Sequence, residues 1–441
     1  MHILSPAAPI DQMRFRLFEI GIYLTEPHVE FLLAKANQAM QAITQQRHQR
    51  KTYLGHSALQ TKKIISHESN SSLNHALSMA YRAYTPTKRW IPETSFIFHI
   101  EAEQMACPTP MQSHYHSQHF DFDAREELSY CSQFDAKVAL MWCAIDKALI
   151  DIKYEDYLEK MTQSFPKELM QWHTALHYKT RQAKNYLPII VHPWQYKHQV
   201  LYHLREAHHE KQFIGPLFQQ TMYPTFDPCT LVSKNPSQAI IQMNLTHQTF
   251  SNQRLERSFK KILKHTNHFN QTLYCLFEKT SINLTHSTAP LPMRILHSPN
   301  DYLTDKEWTV PLNSLINTNH HYTRPLLIEM FDGKSNDPFL LLKSFIKTFY
   351  HSHIALLKTH GLRIDSAPEH LLVVLKKGAV TKIIYREPKL FKANSDQQKN
   401  SDSLLKTISL FRACYEKHMS GNDVHEVCQQ ALQRYQKNTR W

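Results

Sequence analysis

The segment "YLPIIVHPWQYKHQV", residues 186–200, sets two hydrogen-bonding side chains, His192 and Gln195, just past a short apolar run, Leu187 to Val191. An apolar run of this length reads as a buried strand. Pro193 fixes the backbone where the chain leaves the sheet, and Trp194 can anchor that exit by burying its indole. His192 and Gln195 are then expected to face a pocket. Other histidines carry less weight: the chain has 30 of them, and chance alone yields roughly two HxH pairs in such a chain. "HYHSQH" (His114, His116, His119) and "HSH" (His351, His353) therefore read as surface histidines, and a zinc site would need further ligands that the sequence does not single out.

The elements that must position such groups are bounded by composition. At 441 residues and 42% hydrophobic content, the chain has room for two or three packed units. It has 7 glycines and neither a Walker A sequence nor GxGxxG, so any nucleotide would be held by side chains or helix ends. A net charge of +13 favours anionic partners: nucleic acid, anionic lipid, or a small polyanion such as ATP or a polycarboxylate. The basic clusters "FKKILKH" and "LKKGAVTK" are short, no long basic arm is present, and no interleaved aromatics stand at a known module's spacing, which disfavours nucleic acid. The 7 cysteines are scattered without CxxC, against a disulfide framework or a zinc ribbon. No apolar run approaches the roughly 20 residues of a membrane span, and the N-terminus lacks a signal-like pattern, so a cytoplasmic protein is expected.

Along the chain, the first 50 residues read as helical, with a break at Pro27, and "SHESNSSLNH" reads as a loop. "TSFIFHIEA" alternates as a strand would, and Glu126 to about Ala183, including "AKVALMWCAIDKALIDIKYEDYLEKM", reads as helix. The middle third, with "YLPIIVHP", "PCTLVSK" and "QAIIQMNLTHQTF", reads as sheet. "RLERSFKKILKHTNHFNQTLYCLFEK" reads as amphipathic helix, and Asn267 to Arg324 shows little periodicity. A further helix starts at Asp337–Pro338 and stops at Gly361. "HLLVVLKKG" and "VTKIIYRE" form a hairpin around Gly378. "NSDQQKNSD" reads as a connector, and Asp402 to Tyr435 as helix.

Three constellations follow in order: HPWQ after a strand, the strand pair from Thr230 to Arg254, and Gly361 to Glu387. Together they resemble the NRPS-independent siderophore synthetases, the IucA/IucC or aerobactin-synthetase family. That family carries HPWQ, then an SxRT segment, a K…R…T…R strand, and a "yG(I)xxExHxQN" segment leading through a hairpin to an Arg-Asp pair. In "TFDPCTL" Thr230 is retained, while Asp227 and Cys229 stand at the serine and arginine positions. Gln242, Gln248 and Phe250 replace the lysine, first arginine and threonine, and Arg254 matches the final arginine. Asp365 stands at the family glutamate; Ala367, Glu369 and His370 replace the residues of HxQN; Arg386 and Glu387 match the Arg-Asp pair. An upstream GHPxHPxxKxR segment is echoed by Gly55, His56 and Lys63 in "GHSALQTKK", and the chain is shorter than typical members.

The resemblance implies an α+β fold in three parts, like a cupped hand: a helical N-terminal part (1–125), a central sheet-bearing part (126–256), and a C-terminal helical part with a β-hairpin (257–441). It implies ATP-dependent ligation of a citrate-type carboxylate to an amine or hydroxyl through an acyl adenylate. His192 and Arg254 are the implied catalytic residues; Gln195, Thr230, Lys234 and Arg386 would bind substrate or nucleotide. Asp365, Glu387 and His370 would hold Mg²⁺, and the set suits Mn²⁺ or Zn²⁺ equally. Loss of at least three cations opposes triphosphate binding in the usual manner, since glutamine replaces neither the charge nor the fork of arginine. Two readings stay open: a divergent synthetase acting on small polycarboxylate and amine substrates, or a non-catalytic relative that binds a carboxylate, a siderophore or a protein. No membrane partner is expected, and a homo-oligomer is left open.

Overall fold

The computed structural model describes residues 100–103, 122, 124–150, 154–234, 239–243, 245, 272–282, 293–316, 325–329, 339–364, 371–386, 390–392 and 409–416, with isolated positions in 11–34 and 426–433. The fold is α+β. The strands are β1 (Val138–Asp146), β2 (Tyr186–Val191), β3 (Phe213–Pro224), β4 (Thr230–Val232), β5 (Ile240–Met243), β6 (Leu273–Cys275), β7 (Glu278–Ile282), β8 (Met293–Leu296), β9 (Trp308–Pro311), β10 (Leu362–Ile364), β11 (Leu371–Lys376), β12 (Ala379–Tyr385) and β13 (Leu390–Lys392). A 7-stranded antiparallel sheet has the order β2-β1-β3-β4-β5-β8-β7. A 4-stranded sheet has the order β6-β12-β11-β9, and β10 pairs with β13. The helices used below are α1 (Ala124–Tyr130), α2 (Tyr154–Ser164), α3 (Pro166–Lys179) and α4 (Leu340–His360).

Within the stretch expected to be one helix, residues 138–146 form β1, which lies inside the large sheet between β2 and β3. The physical reason is burial on both faces: "VALMWCAID" is a continuous apolar run, and such a run shows neither strand alternation nor a helical stripe. α3 covers it, and the carbonyl of Cys143, at an irregularity in the β1–β3 register, accepts the Trp172 indole N–H at 2.8 Å. β2 is the edge strand, so Pro188 removes no needed ladder donor. The Pro188 carbonyl accepts the buried Tyr157 hydroxyl of α2 at 2.7 Å.

Two further expectations are corrected. Ile100–Glu103 is helical rather than extended. The end of the helix expected at "RLERSFKKILKHTNHFNQTLYCLFEK" supplies β6 and the start of β7; the rest of that helix lies outside the described residues up to 271. β7 and β8 complete the large sheet from the far side. By contrast α4 ends at Gly361, whose φ of +60° is the left-handed helix stop. The β11–β12 hairpin turns through Lys377 and Gly378, both at positive φ.

The two main sheets share an interior. Tyr223, Val232, Ile240 and Leu296 of the large sheet pack with Leu372, Val374 and Ile384 of the smaller one. On its other face the large sheet builds a core with α2 and α3 around Trp142, Phe165 and Trp172. The smaller sheet builds its own with α4 around Phe345, Val373 and Tyr385. Gly215 in β3 lies against β1: a Cβ there would stand 2.6 Å from Cys143 Sγ and 2.8 Å from its Cβ. Gly215→Ala is therefore expected to lower unfolding free energy by about 1–3 kcal/mol in chemical denaturation. Adding Cys143→Ala should recover only part of that loss, because the Cβ remains.

Candidate active site

His192 ends β2 as the first residue of a strand-to-helix turn, and the structure gives it and Gln195 a shared task. The Trp194 backbone N–H donates to His192 Nδ1 at 3.1 Å, and the His192 N–H donates to Gln195 Oε1 at 3.2 Å. This is a reciprocal capping box that satisfies donors the first helical turn leaves unpaired. The expectation that both side chains face a pocket is thus corrected: His192 is 0% and Gln195 2% exposed, and both are turned onto backbone. Trp194 does anchor the exit by burial, against Phe122 at 5.9 Å between ring centroids. Tyr130 of α1 meets the His192 ring edge to face at 4.7 Å. Glu126 of the same helix holds Lys197 Nζ at 2.9 Å and His198 Nε2 at 2.7 Å. The Nε2 of His192 has no hydrogen-bond partner among the described residues.

Thr230 opens β4 after a tight turn. Its hydroxyl donates to Asp227 Oδ2 at 2.7 Å, and the Cys229 N–H donates to Asp227 Oδ1 at 3.0 Å. Asp227 therefore organises the turn. Register then carries a row of polar groups across the sheet: Thr230 opposite Gln242, Gln242 opposite Arg294, and Arg294 opposite Ser281. Partners in register share a face, and this face is also that of Val232, Ile240 and Leu296, which look toward the smaller sheet. Arg294, which the sequence reading passed over, thus brings a buried guanidinium directly beside Gln242, the position where a lysine was missing. Its Nε lies 3.0 Å from Glu278 Oε2. The signal available was an arginine inside the short apolar run "PMRIL", a charge placed where a strand would bury it.

The smaller sheet answers with two more cations on the facing side, Lys382 and Arg386, each two residues from Ile384, which lies between them. Lys382 Nζ is 2.6 Å from Glu307 Oε2 and donates to the Tyr302 carbonyl at 2.9 Å. Arg386 pairs with the fully buried Glu103 and lies 5.3 Å from the centre of the Phe226 ring. That contact brings Arg386 against the turn that holds Thr230. Lys234 is exposed, with its Nζ 5.7 Å from the centre of the Tyr223 ring at the end of β4. His192 and Gln195 stand apart from this group, since β1 and β3 separate β2 from β4, about 14 Å of sheet at three strand spacings. Arg254, Asp365, His370 and Glu387 lie outside the described residues. Among the described residues no three His, Cys, Asp or Glu side chains are grouped to hold a metal, and no helix is long and apolar enough to cross a membrane.

Burial pushes His192 down to about 3, so its ring is neutral near pH 7 and free to accept the capping N–H. Burial would raise Glu307, but Lys382 and the Thr304 N–H hold it down at about 2. Both groups bind fewer protons folded than unfolded, so the stability they contribute is present at neutral pH. It is lost as pH falls, for His192 below its ordinary 6.5 toward about 3, and for Glu307 below 4.5 toward about 2.

Two substitution pairs check these assignments by denaturant unfolding. His192→Ala should cost about 0.5–2 kcal/mol as a lost cap, while His192→Asn, whose amide oxygen also caps, should retain most of that stability. Lys382→Met should cost about 3–5 kcal/mol by stranding Glu307, and adding Glu307→Gln should restore most of it.

Residues 115–317 match the IucA / IucC family. None of the curated proteins matches the sequence. Among solved structures, the fold is similar to that of the petrobactin biosynthesis protein AsbB from Bacillus anthracis str. Sterne, with TM-score 0.66 and 15% identity over 88% of this chain and 73% of that one. It is similar to the aerobactin synthetase IucC from a hypervirulent pathotype of Klebsiella pneumoniae, with TM-score 0.65 and 14% identity over 91% and 79% of the two chains. The ATP-bound aerobactin synthetase IucA from such a pathotype matches with TM-score 0.60 and 14% identity over 98% and 79%. At these identities the structural likeness is one of fold. The family match spans β1 to β9 and so includes HPWQ, Thr230, Gln242 and Arg294. Residues 115–317 thus match the IucA / IucC family, and the chain shares its fold with these solved siderophore-biosynthesis structures.

Proposed function

We propose that the chain is a siderophore-synthetase-like ligase that uses ATP to join a citrate-type carboxylate to an amine or hydroxyl. A carboxylate oxygen attacks the α-phosphorus of ATP and pyrophosphate leaves; the amine or hydroxyl then attacks the acyl carbon, AMP leaves, and the nucleophile gives up its proton. Both substrates are anions, so the site must offset their repulsion with fixed positive charge. The observation that carries the reading is the trio Arg294, Lys382 and Arg386: three buried cations, from two sheets, on the faces that look at one another. They offset the cationic positions filled here by Cys229, Gln242 and Gln248. The relationship to siderophore synthetases and the ATP-bound IucA among the fold relatives support the same chemistry.

Thr230 and Arg386 are assigned to substrate or nucleotide binding, with Lys234 at the rim and Arg254 as a catalytic cation. Gln195 and His192 hold the β2 exit, with His192 Nε2 left to donate. Asp365 and Glu387, with His370, are by donor chemistry the residues for Mg²⁺, which would supply countercharge to the polyphosphate. Mn²⁺ suits the same set.

A second reading is favoured by one feature. Each of the three cations already meets a carboxylate: Glu278, Glu307 and Glu103. A cleft neutralised from within suits a protein that binds a carboxylate or siderophore without activating it. Incubation with ATP, Mg²⁺ or Mn²⁺, citrate and hydroxylamine separates the two. Pyrophosphate and a hydroxamate are expected, and Arg386→Lys, which keeps charge but loses the fork, should reduce both by roughly 10–100-fold. Absence of both products across several polycarboxylates, with no ATP binding by calorimetry, would overturn the ligase, and carboxylate binding that persisted would establish the second reading.

A further inference from the structure

We infer that Arg294 is a carboxylate subsite, occupied in the free protein by Glu278, which an incoming polycarboxylate displaces. The inference rests on the carboxylate reading of the cleft for its choice of ligand. The three cation–carboxylate pairs differ in one respect that selects this one. Glu103 and Glu307 are 0% and 4% exposed at the side chain, whereas Glu278 is 19% exposed and its partner Arg294 only 7%. Exchange needs a buried cation and a carboxylate with a way out, and only this pair has both.

The strand geometry supplies the way out. Among the described residues β7 is the edge strand of the large sheet. The β7–β8 register shifts between Glu278 and Thr280, so the ladder does not fix Glu278 as tightly as its neighbours. Arg294 cannot follow it, being in register between Gln242 of β5 and Ser281 of β7. A ligand carboxylate that takes the place of Glu278 would meet the guanidinium with uncharged hydrogen-bonding groups on either side, Gln242 and Ser281. Leu296 and Ile240 form the apolar layer beside it, where a charge-assisted pair is stronger than in water. Among the described residues, Lys279, Asp301 and His297 also lie near this end, with Asp301 3.5 Å from Lys279 and 3.0 Å from His297. From the opposite sheet come Lys382 with Glu307 and Arg386 with Glu103. A carboxylate is favoured over a phosphate because the guanidinium is already seated against one.

Calorimetric titration of the full chain with tricarballylate and, separately, with pyrophosphate tests this without nucleotide or turnover. Glu278→Gln, which removes the competing charge and keeps the shape, is expected to tighten tricarballylate binding at least tenfold. Arg294→Gln should weaken it at least tenfold and weaken pyrophosphate binding by much less. Should Arg294→Gln fail to give a cooperative melt, Glu278→Gln alone decides. Unchanged or weaker tricarballylate binding in Glu278→Gln overturns the subsite, as does an Arg294→Gln effect confined to pyrophosphate, which would assign Arg294 to phosphate. If Glu278→Gln tightens binding while the wild type makes no hydroxamate, the subsite stands and the ligase falls. If hydroxamate forms while Glu278→Gln changes nothing, the reverse holds.

Discussion

Three charged side chains between two β-sheets are a constraint that the rest of this structure has to meet. Removing a guanidinium or an ammonium from water costs several kcal/mol, and Arg294, Lys382 and Arg386 are each buried. The fold meets the cost with a carboxylate for each, drawn from distant parts of the chain: Glu278 from the neighbouring strand, Glu307 from the approach to β9, and Glu103 from a helical segment far upstream. Arg294–Glu278 lies within the large sheet, Lys382–Glu307 within the smaller one and its approach, and Arg386–Glu103 ties the end of β12 to the upstream helical segment. Strand alternation keeps the two demands compatible. Arg294 and Leu296, or Lys382 and Ile384, lie two residues apart, so a polar row and an apolar row run side by side on one face.

HPWQ has a separate, structural task. It caps a helix, orders the turn out of β2, and receives Phe122 and Tyr130 from the segment around α1. Its intactness is explained by backbone hydrogen bonding before any chemistry is invoked. What remains for chemistry is one nitrogen, His192 Nε2, on a ring whose other nitrogen is already engaged. The motif thus supports the family more firmly than the activity, and the buried cations about three strands away support the activity more firmly than the motif.

Elements whose sequence carries punctuation were legible: the apolar run into HPWQ, the β11–β12 hairpin around Gly378, and α4 ending at Gly361. β1 was not, because a strand buried on both faces has the same apolar pattern as a buried helix and is rich in Ala, Leu and Met. Gln242 was readable as a lost cation only along its own strand. The compensating Arg294 comes from β8, beyond a long intervening stretch, and enters the row through sheet register, which no local pattern encodes. The same applies to Glu103, whose pairing with Arg386 joins residues from opposite ends of the described chain. Arg254, Asp365, His370 and Glu387 were singled out by family resemblance and lie outside the described residues.

The central claim is that the facing sheets form an anion site built on these cations. A crystal structure of the full chain with tricarballylate bound tests it most directly. The account expects a ligand carboxylate within hydrogen-bond distance of Arg294, Glu278 swung away from its present 3.0 Å contact, and the remaining carboxylates toward Lys382 or Arg386. Ligand bound elsewhere, with the Arg294–Glu278 pair intact, would contradict it.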